Sequence, residues 1–428
     1  PPRYLKLLEI IPSPATNPEV IDFLMSYGSK FLGKTTVYCK DTPAFIANRV
    51  GVYSIQELFH TVSDMGLTVE QVDKLTGPVM GRPKSATFRT CDVVGLDTLV
   101  HVANGVKENC PKDEKSEVFQ IPLYVHQMVE NGWLGSKTKQ GFYKKIKDEK
   151  GKSEILVLDL NSMEYRSKEK VKFATLDMAK QADSLTERTK FLFNGQDNAG
   201  EFYKRSFCSV FAYVSNRIPE IADELYKIDD AMRAGFGWEI GPFEAWDAIG
   251  VTAATSEMDA RAISYASWIK EMVDAGCESF YQVKEGVKYF YNQVTKAYEI
   301  IPGQGSRIVL ANIPKDRTVW RNNGATLKDL GDGILNLEFH TKMNTIGGEV
   351  ITGINKALDI CEAENKGLVI SNEGQNFSAG ANVGMIFMMA VEQEYDELDF
   401  AIRAFQNTMM RVRYSNIPVV VAPHNMAL

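Results

Sequence analysis

Apolar and polar positions change rhythm several times along this chain, and each rhythm predicts a different element. Leu5 to Ile11 is a short apolar run closed by Pro12 and Pro14, which predicts a strand inside a larger sheet. Glu19 to Leu32 has helical spacing, and the β-branched stretch Thr35 to Cys39 reads as a second strand. Together they read as the tail end of an α/β domain, residues 1–39, with its front absent. Thr42-Pro43 predicts a helix start, with a capping hydroxyl and a proline at the first helical position; Ile55, Leu58, Phe59 and Val62 then share one face. Thr68 and Gln71 form a capping-box pattern for the next helix. Residues 40–147 read as all-helical. Charge is dense from Lys147 to Lys170, interrupted by a strand-like Ile155 to Leu160, and 148–185 reads as a surface connector. A second helical domain is expected over 186–304. The rhythm then changes again: strands at Ile334 to Phe339, Gly367 to Ser371 and Ile417 to Ala422, with Ile351, Ile354, Leu358 and Cys361 along a helix face. That order predicts a new α/β domain, 305–428, beginning near Ser306 and stopping at Leu428 before it could close.

The two helical stretches share a pattern. Phe45-Ile46-Ala47-Asn48-Arg49-Val50 returns as Tyr213-Val214-Ser215-Asn216-Arg217-Ile218. Downstream, Asp73, Phe88, Asp92 and Gly95 in one stretch match Asp229, Phe243, Asp247 and Gly250 in the other. Two copies are too few for a solenoid and predict tandem domains packed on each other. The expected class is mainly α, flanked by the two partial α/β pieces.

Composition narrows the classes. With 44% apolar and 24% charged residues in 428, neither a disordered nor a membrane protein fits. A formal charge of −7 without a basic face argues against nucleic acid as the main partner. The six cysteines are scattered, which signals no zinc knuckle and no disulfide framework, so no metal is expected and a reducing, cytoplasmic home fits best. No apolar run approaches a membrane span, and the N-terminus shows no signal-peptide pattern. A start at Pro1-Pro2-Arg3-Tyr4 without an initiator methionine suggests a fragment of something longer.

Three residues stand out chemically. Glu9 sits among Leu7, Leu8, Ile10 and Ile11, so its carboxylate either needs a partner or occupies an edge facing water. Asn48 is either a polar core residue bonded to backbone, the commoner case, or a catalytic one. Lys137, inside Gly135-Ser136-Lys137-Thr138-Lys139-Gln140-Gly141-Phe142-Tyr143, suits a phosphate ligand or a solvated loop.

In order and spacing, Leu5 to Ile11, Cys39 to Arg49 and Gly135 to Tyr143 resemble the 3-hydroxyacyl-CoA dehydrogenase family. The resemblance implies an NAD-binding Rossmann domain ahead of a helical domain and oxidation of the 3-hydroxyl of an acyl-CoA. It implies that Glu9 orients a catalytic histidine, that Asn48 contacts substrate and that Lys137 reaches the nicotinamide cofactor. The family's histidine and glycine-rich loop fall upstream of Pro1, and His60, His101, His126, His340 and His424 lie outside the matched segments. Asn216, in the second copy, reads as structural.

The tail resembles the enoyl-CoA hydratase, or crotonase, family through Lys342-Met343-Asn344 and Asn376-Phe377-Ser378-Ala379-Gly380-Ala381-Asn382. The resemblance implies that Ala379, Gly380 and Ala381 form an oxyanion and CoA loop, with Ala381 as the amide donor. A glycine turn between strand and helix is the alternative. Asn382 stands where relatives often carry aspartate. The second oxyanion glycine and the catalytic glutamates would lie beyond Leu428.

The implied parent is a bifunctional β-oxidation enzyme, dehydrogenase first and hydratase last, that uses NAD and acyl-CoA, with this piece inactive in both steps and expected as a homo-oligomer. The rivals are a 3-hydroxybutyryl-CoA dehydrogenase-like enzyme and a non-catalytic helical module for dimerisation or docking.

Overall fold

The computed structural model describes residues 3–147, 153–182, 184–303, 308–374 and 376–427. It is rich in helix and divides into two compact units, residues 1–282 with 289–299, and residues 283–288 with 300–428.

The first unit opens with a parallel pair, β1 (Leu7–Ile10) and β2 (Thr35–Tyr38), in which Leu7 lies opposite Thr35 and Ile10 opposite Tyr38. Helix α1 (Pro18–Lys30) joins them, its first turn capped by the Asn17 side chain accepting from the Glu19 N–H. The long α2 (Ala47–Asp64) starts later than Thr42-Pro43 suggested. Ala44 and Phe45 adopt φ of 64° and 51°, left-handed values that no helix can contain, so the first regular turn waits for Ala47. The Thr42 hydroxyl caps nothing: it is buried without a hydrogen-bond partner. After it come α3 (Val69–Leu75), with Thr68 and Gln71 in reciprocal capping bonds, α4 (Phe88–Val94), α5 (Leu96–Asn109) and α6 (Leu123–Glu130).

The charged stretch read as a connector is part of a sheet. Strands β3 (Tyr143–Lys147), β4 (Ser153–Leu158) and β5 (Tyr165–Ser167) run antiparallel, and residues 148–152 lie outside the described residues. Tyr143, Val157 and Leu158 are buried while Lys145 and Lys147 are exposed, so one solvated face hides the alternation. Helices α7 (Ala174–Ala179), α8 (Leu185–Phe193), α9 (Asn198–Asn216), α10 (Leu225–Phe236), α11 (Pro242–Ile249), α12 (Val251–Ala260) and α13 (Ser267–Asp274) follow. A three-stranded sheet, β6 (Tyr281–Lys284), β7 (Val287–Asn292) and β8 (Ala297–Ile300), comes next along the chain.

Helices α2 and α9 pack through Tyr53 and Tyr213, whose rings stack 3.6 Å apart. Gly51 lets α10 approach α2, because the Phe236 ring stands 2.0 Å from where a β-carbon on Gly51 would be. Around this pair one set of polar ties occurs twice. Asp73 accepts from the N–H groups of Thr87, Phe88 and Arg89 and from the Tyr143 hydroxyl; Asp229 accepts from Phe243 and Glu244 N–H and from the Tyr281 hydroxyl. Asp92 takes the N–H of Phe142 and Tyr143, and Asp247 those of Phe280 and Tyr281. The corners after α4 and α11 are Gly95 and Gly250, with φ of 101° and 105°, open only to glycine.

The repeated Asn-Arg pair does not take part in this equivalence. Asn48 lies in the first turn of α2, whereas Asn216 is the last residue of α9, where the following Arg217-Ile218-Pro219 ends the helix. Its recurrence in the sequence does not mark equivalent positions.

In the second unit, β9 (Thr318–Arg321), β10 (Ala325–Gly331) and β11 (Ile334–Phe339) are antiparallel, and β12 (Gly367–Ile370) and β13 (Val419–Val421) extend the sheet in parallel, in the order β13-β12-β11-β10-β9. Helix α14 (Gly348–Glu364) covers it with Val350, Ile354, Ala357, Leu358 and Cys361. Two further helices, α15 (Val383–Val391) and α16 (Tyr395–Arg413), follow, and the apolar run from Met385 to Met389 lies on α15, which buries none of its residues. Ser306, the expected start of this part, lies outside the described residues.

Candidate functional site

A helix leaves its first N–H groups without intrahelical partners, and Ile46, at the N-cap of α2, has no side chain to satisfy them. Glu9 supplies what is missing. Its Oε1 lies 3.1 Å from the N of Ile46 and 3.0 Å from that of Ala47, so a carboxylate from β1 caps the helix and meets the positive end of its dipole. The Cys39 thiol, at the end of β2, points at the same oxygen from 3.7 Å. Burial and then the neighbouring Glu9 push that thiol well above its usual range, so it stays a neutral donor. Oε2 has no hydrogen-bond partner among the described residues. Glu9 itself is half-buried, neither sealed in a sheet nor on a fully wet edge.

Asn48 follows Ala47 directly on α2 and is exposed, with its amide unengaged among the described residues. Glu9 and Asn48 thus share the N-terminal turn of one helix. Lys137 does not join them. It sits in a tight turn after Gly135, packed against α4 because Gly135 and Gly141 leave room for Asp92. Its Nζ forms an ion pair with Asp97 at the start of α5, 2.5 Å from Oδ1, and that contact holds the exposed Asp97 carboxyl below the usual range.

The loop of Ala379, Gly380 and Ala381, in the second unit, is built on amides. Ala379 N–H donates to the carbonyl of Met343, Gly380 N–H to the Ser378 hydroxyl, and Ile346 N–H to the carbonyl of Gly380. The Ala381 N–H makes no hydrogen bond among the described residues, and Ala381 is exposed. Behind the loop, buried Asn344 donates to Asn372 Oδ1 at 2.9 Å and to the Asn376 carbonyl at 3.0 Å, while Ser378 Oγ donates to the Asn344 carbonyl. Asn382 caps α15 by accepting from Met385 N–H.

Sequence reasoning missed the partners: Cys39 and the two amides on Glu9, Asp97 on Lys137, and Asn372 beneath the loop. Each contact joins segments that are distant along the chain, and only the presence of Asn344 within the tail motif Lys342-Met343-Asn344 hinted at any of them.

Comparison with known proteins gives these arrangements a setting. Residues 45–145 and 202–289 match the family described as 3-hydroxyacyl-CoA dehydrogenase, C-terminal domain. A Bacillus subtilis (strain 168) protein named Probable 3-hydroxyacyl-CoA dehydrogenase is 44% identical over all of this chain and 53% of its own length. The mitochondrial hydroxyacyl-coenzyme A dehydrogenase of Sus scrofa is 33% identical over 34% of this chain and 44% of its own. The chain spans about half the length of the curated relatives it matches. Among solved structures, 3-hydroxybutyryl-CoA dehydrogenase from Escherichia coli K12 aligns with a TM-score of 0.44 and 18% identity, covering 64% of this chain and 68% of that one.

Proposed function

We propose that the protein oxidises 3-hydroxyacyl-CoA to 3-oxoacyl-CoA with NAD, in fatty-acid β-oxidation, and that the first helical domain, about 40–147, carries the substrate-facing part of that site. One observation carries the reading. Glu9 commits Oε1 to the N-terminus of α2 and leaves Oε2 open, so a carboxylate fixed by the fold is available to hold an imidazole N–H beside the exposed amide of Asn48. A carboxylate so placed fixes the tautomer of a histidine and stabilises its charged form as it takes the hydroxyl proton; an amide at the carbon–oxygen centre steadies the forming carbonyl. NAD, when bound, takes the hydride.

The residues of this chain do not by themselves make a dinucleotide site. No Gly-x-Gly-x-x-Gly occurs among its 32 glycines, so the close backbone approach that holds a pyrophosphate is not built from them. No histidine of the chain bonds to Glu9 among the described residues. We therefore assign this chain Glu9 as the positioning carboxylate, Asn48 as the substrate contact and Lys137 as a cation that reaches the cofactor by leaving Asp97. The repeated aspartate ties support reading 186–304 as a second domain of the same helical type, without a site of its own.

A second activity is favoured by the unengaged Ala381 amide, which with Ala379 and Gly380 offers an N–H to a thioester oxygen, as hydration of a 2-enoyl-CoA requires. The test of the main reading is NADH formation from 3-hydroxybutyryl-CoA and 3-hydroxydecanoyl-CoA by the protein expressed from its whole gene. Turnover with the longer substrate supports β-oxidation, turnover with the shorter alone favours a 3-hydroxybutyryl-CoA enzyme, and no NADH from either defeats the proposal.

A further inference from the structure

Within the first unit, α3, α4, β4, the segment after β5, α7 and α8 enclose an open cavity of about 1000 Å³, at the upper end of what small-molecule sites occupy. Its charge is lopsided. Lys74, Lys84, Arg89, Lys168, Lys170 and Arg188 line it, and none of the six has a carboxylate partner among the described residues. A seventh cation, Lys180, pairs with Asp177.

The three carboxylates in the wall are already engaged. Arg166 holds Glu70 at 2.6 Å and Glu169 at 3.6 Å, and Asp73 accepts three amides and a tyrosine hydroxyl. In a chain of net charge −7, six unpaired cations gathered on one concave surface repel one another and focus a positive field into the cavity. The remaining wall is largely apolar, formed by Pro78, Val79, Ile155, Val171, Leu176 and Ala179 with Tyr143, whose hydroxyl is committed to Asp73. Cations for phosphates beside an apolar strip for a flat ring match the two halves of a nucleotide.

We infer that this cavity binds a nucleotide bearing at least two phosphates, its base against the apolar part of the wall and its phosphates among the lysines and arginines. The site is separate from Glu9 and Asn48 and does not depend on the dehydrogenase reading. The same chemistry is offered by a free nucleotide and by the nucleotide half of coenzyme A, which differ in where the phosphates are attached.

Titration calorimetry of the chain with ADP, adenosine 3′,5′-bisphosphate and coenzyme A separates the sources; adenosine and inorganic pyrophosphate test each half of the ligand. We expect saturable binding of at least one of the first three, weaker binding of pyrophosphate and none of adenosine. The double variant Lys84→Glu with Lys170→Glu should weaken binding at least about tenfold, since each reversal replaces attraction by repulsion at close range. Lys270→Glu, on α13 and outside the cavity, should leave it unchanged. Binding indifferent to the double variant, binding that Lys270→Glu weakens equally, or no binding by any of the three nucleotides would overturn the inference. Both substituted lysines are exposed, and an unfolding transition matching the parent's would confirm that a loss of binding is local.

Discussion

Arg49 and Arg217 hold the same oxygen of Asp113, at 2.7 and 3.2 Å, with the Tyr213 hydroxyl 2.9 Å from it as a third donor. Arg49 and Asp113 are wholly buried, and Glu220 completes the cluster by pairing with both arginines. One carboxylate thereby joins the first turn of α2 to the end of α9.

Removing that carboxylate takes from two buried guanidinium groups the one fully buried partner they share and leaves them to Glu220, with Glu114 also on Arg217. Asp113→Ala should destabilise the first unit by about 3–5 kcal/mol, the range for breaking a buried ion pair by deleting one partner. Urea unfolding followed by circular dichroism measures it, and a loss below about 1 kcal/mol would show that Glu220 and Glu114 compensate.

Glu57 is buried on α2, with Oε1 accepting from the Thr61 hydroxyl and Oε2 unpaired, and burial pushes its carboxyl up to about 7. The folded state therefore holds this proton more tightly than the unfolded state. Its contribution to stability is fully present below the ordinary carboxylate range and is lost as pH rises through that range to about 7. Glu57→Gln should flatten the pH dependence of the melting temperature between about pH 5 and 7; a parallel profile in the variant would remove Glu57 as the cause.

Glu9→Gln keeps an oxygen that can accept from Ile46 and Ala47, so stability should change by less than about 1 kcal/mol. In the protein expressed from its whole gene, dehydrogenase turnover should nevertheless fall about a hundredfold, because an amide cannot stabilise an imidazolium. Equal turnover in variant and parent would end the catalytic reading of Glu9.

Asn48 and Asn216 should behave differently. Asn48→Ala should lower turnover with little effect on melting. Asn216→Ala, which gives up only a 3.5 Å contact to the Ser264 carbonyl, should leave turnover intact and shift stability by less than about 1 kcal/mol. Matching kinetic defects would mean that both asparagines face substrate.

Helix α15 exposes Met385, Ile386, Phe387 and Met388 by 40% or more. An apolar surface of this kind favours self-association, so sedimentation of the chain should show concentration-dependent assembly that Phe387→Glu reduces. Hydrogen exchange across 308–427 that is uniformly slow in a monomer would contradict this.

Much of the architecture was legible because its signals are local. Leu7 to Ile10 and Ile334 to Phe339 read as strands from short, mostly apolar stretches, and Thr68 with Gln71 announced a helix start because both partners lie within one turn. Two kinds of feature resisted. Ala44 and Phe45 carry a left-handed conformation usually left to glycine or asparagine, so nothing in their identity warned that α2 begins after them. The sheet of β3 to β5 presents lysines on its wet face, and charge density concealed its alternation. In the candidate site, Glu9 was recognisable by family resemblance, but its role as a helix cap was not, because the amides it binds lie more than thirty residues away and belong to apolar residues.

The aspartate ties also explain why the internal repeat is so sparse. Asp73 and Asp229 each fasten a helix, the start of the next and a tyrosine at a strand, using main-chain amides that any residue provides. A module bolted together through its backbone places almost no demand on the identity of the side chains between the bolts. Its two copies are then free to diverge in nearly every other position, leaving a few acids, aromatics and glycines as the surviving trace of common design.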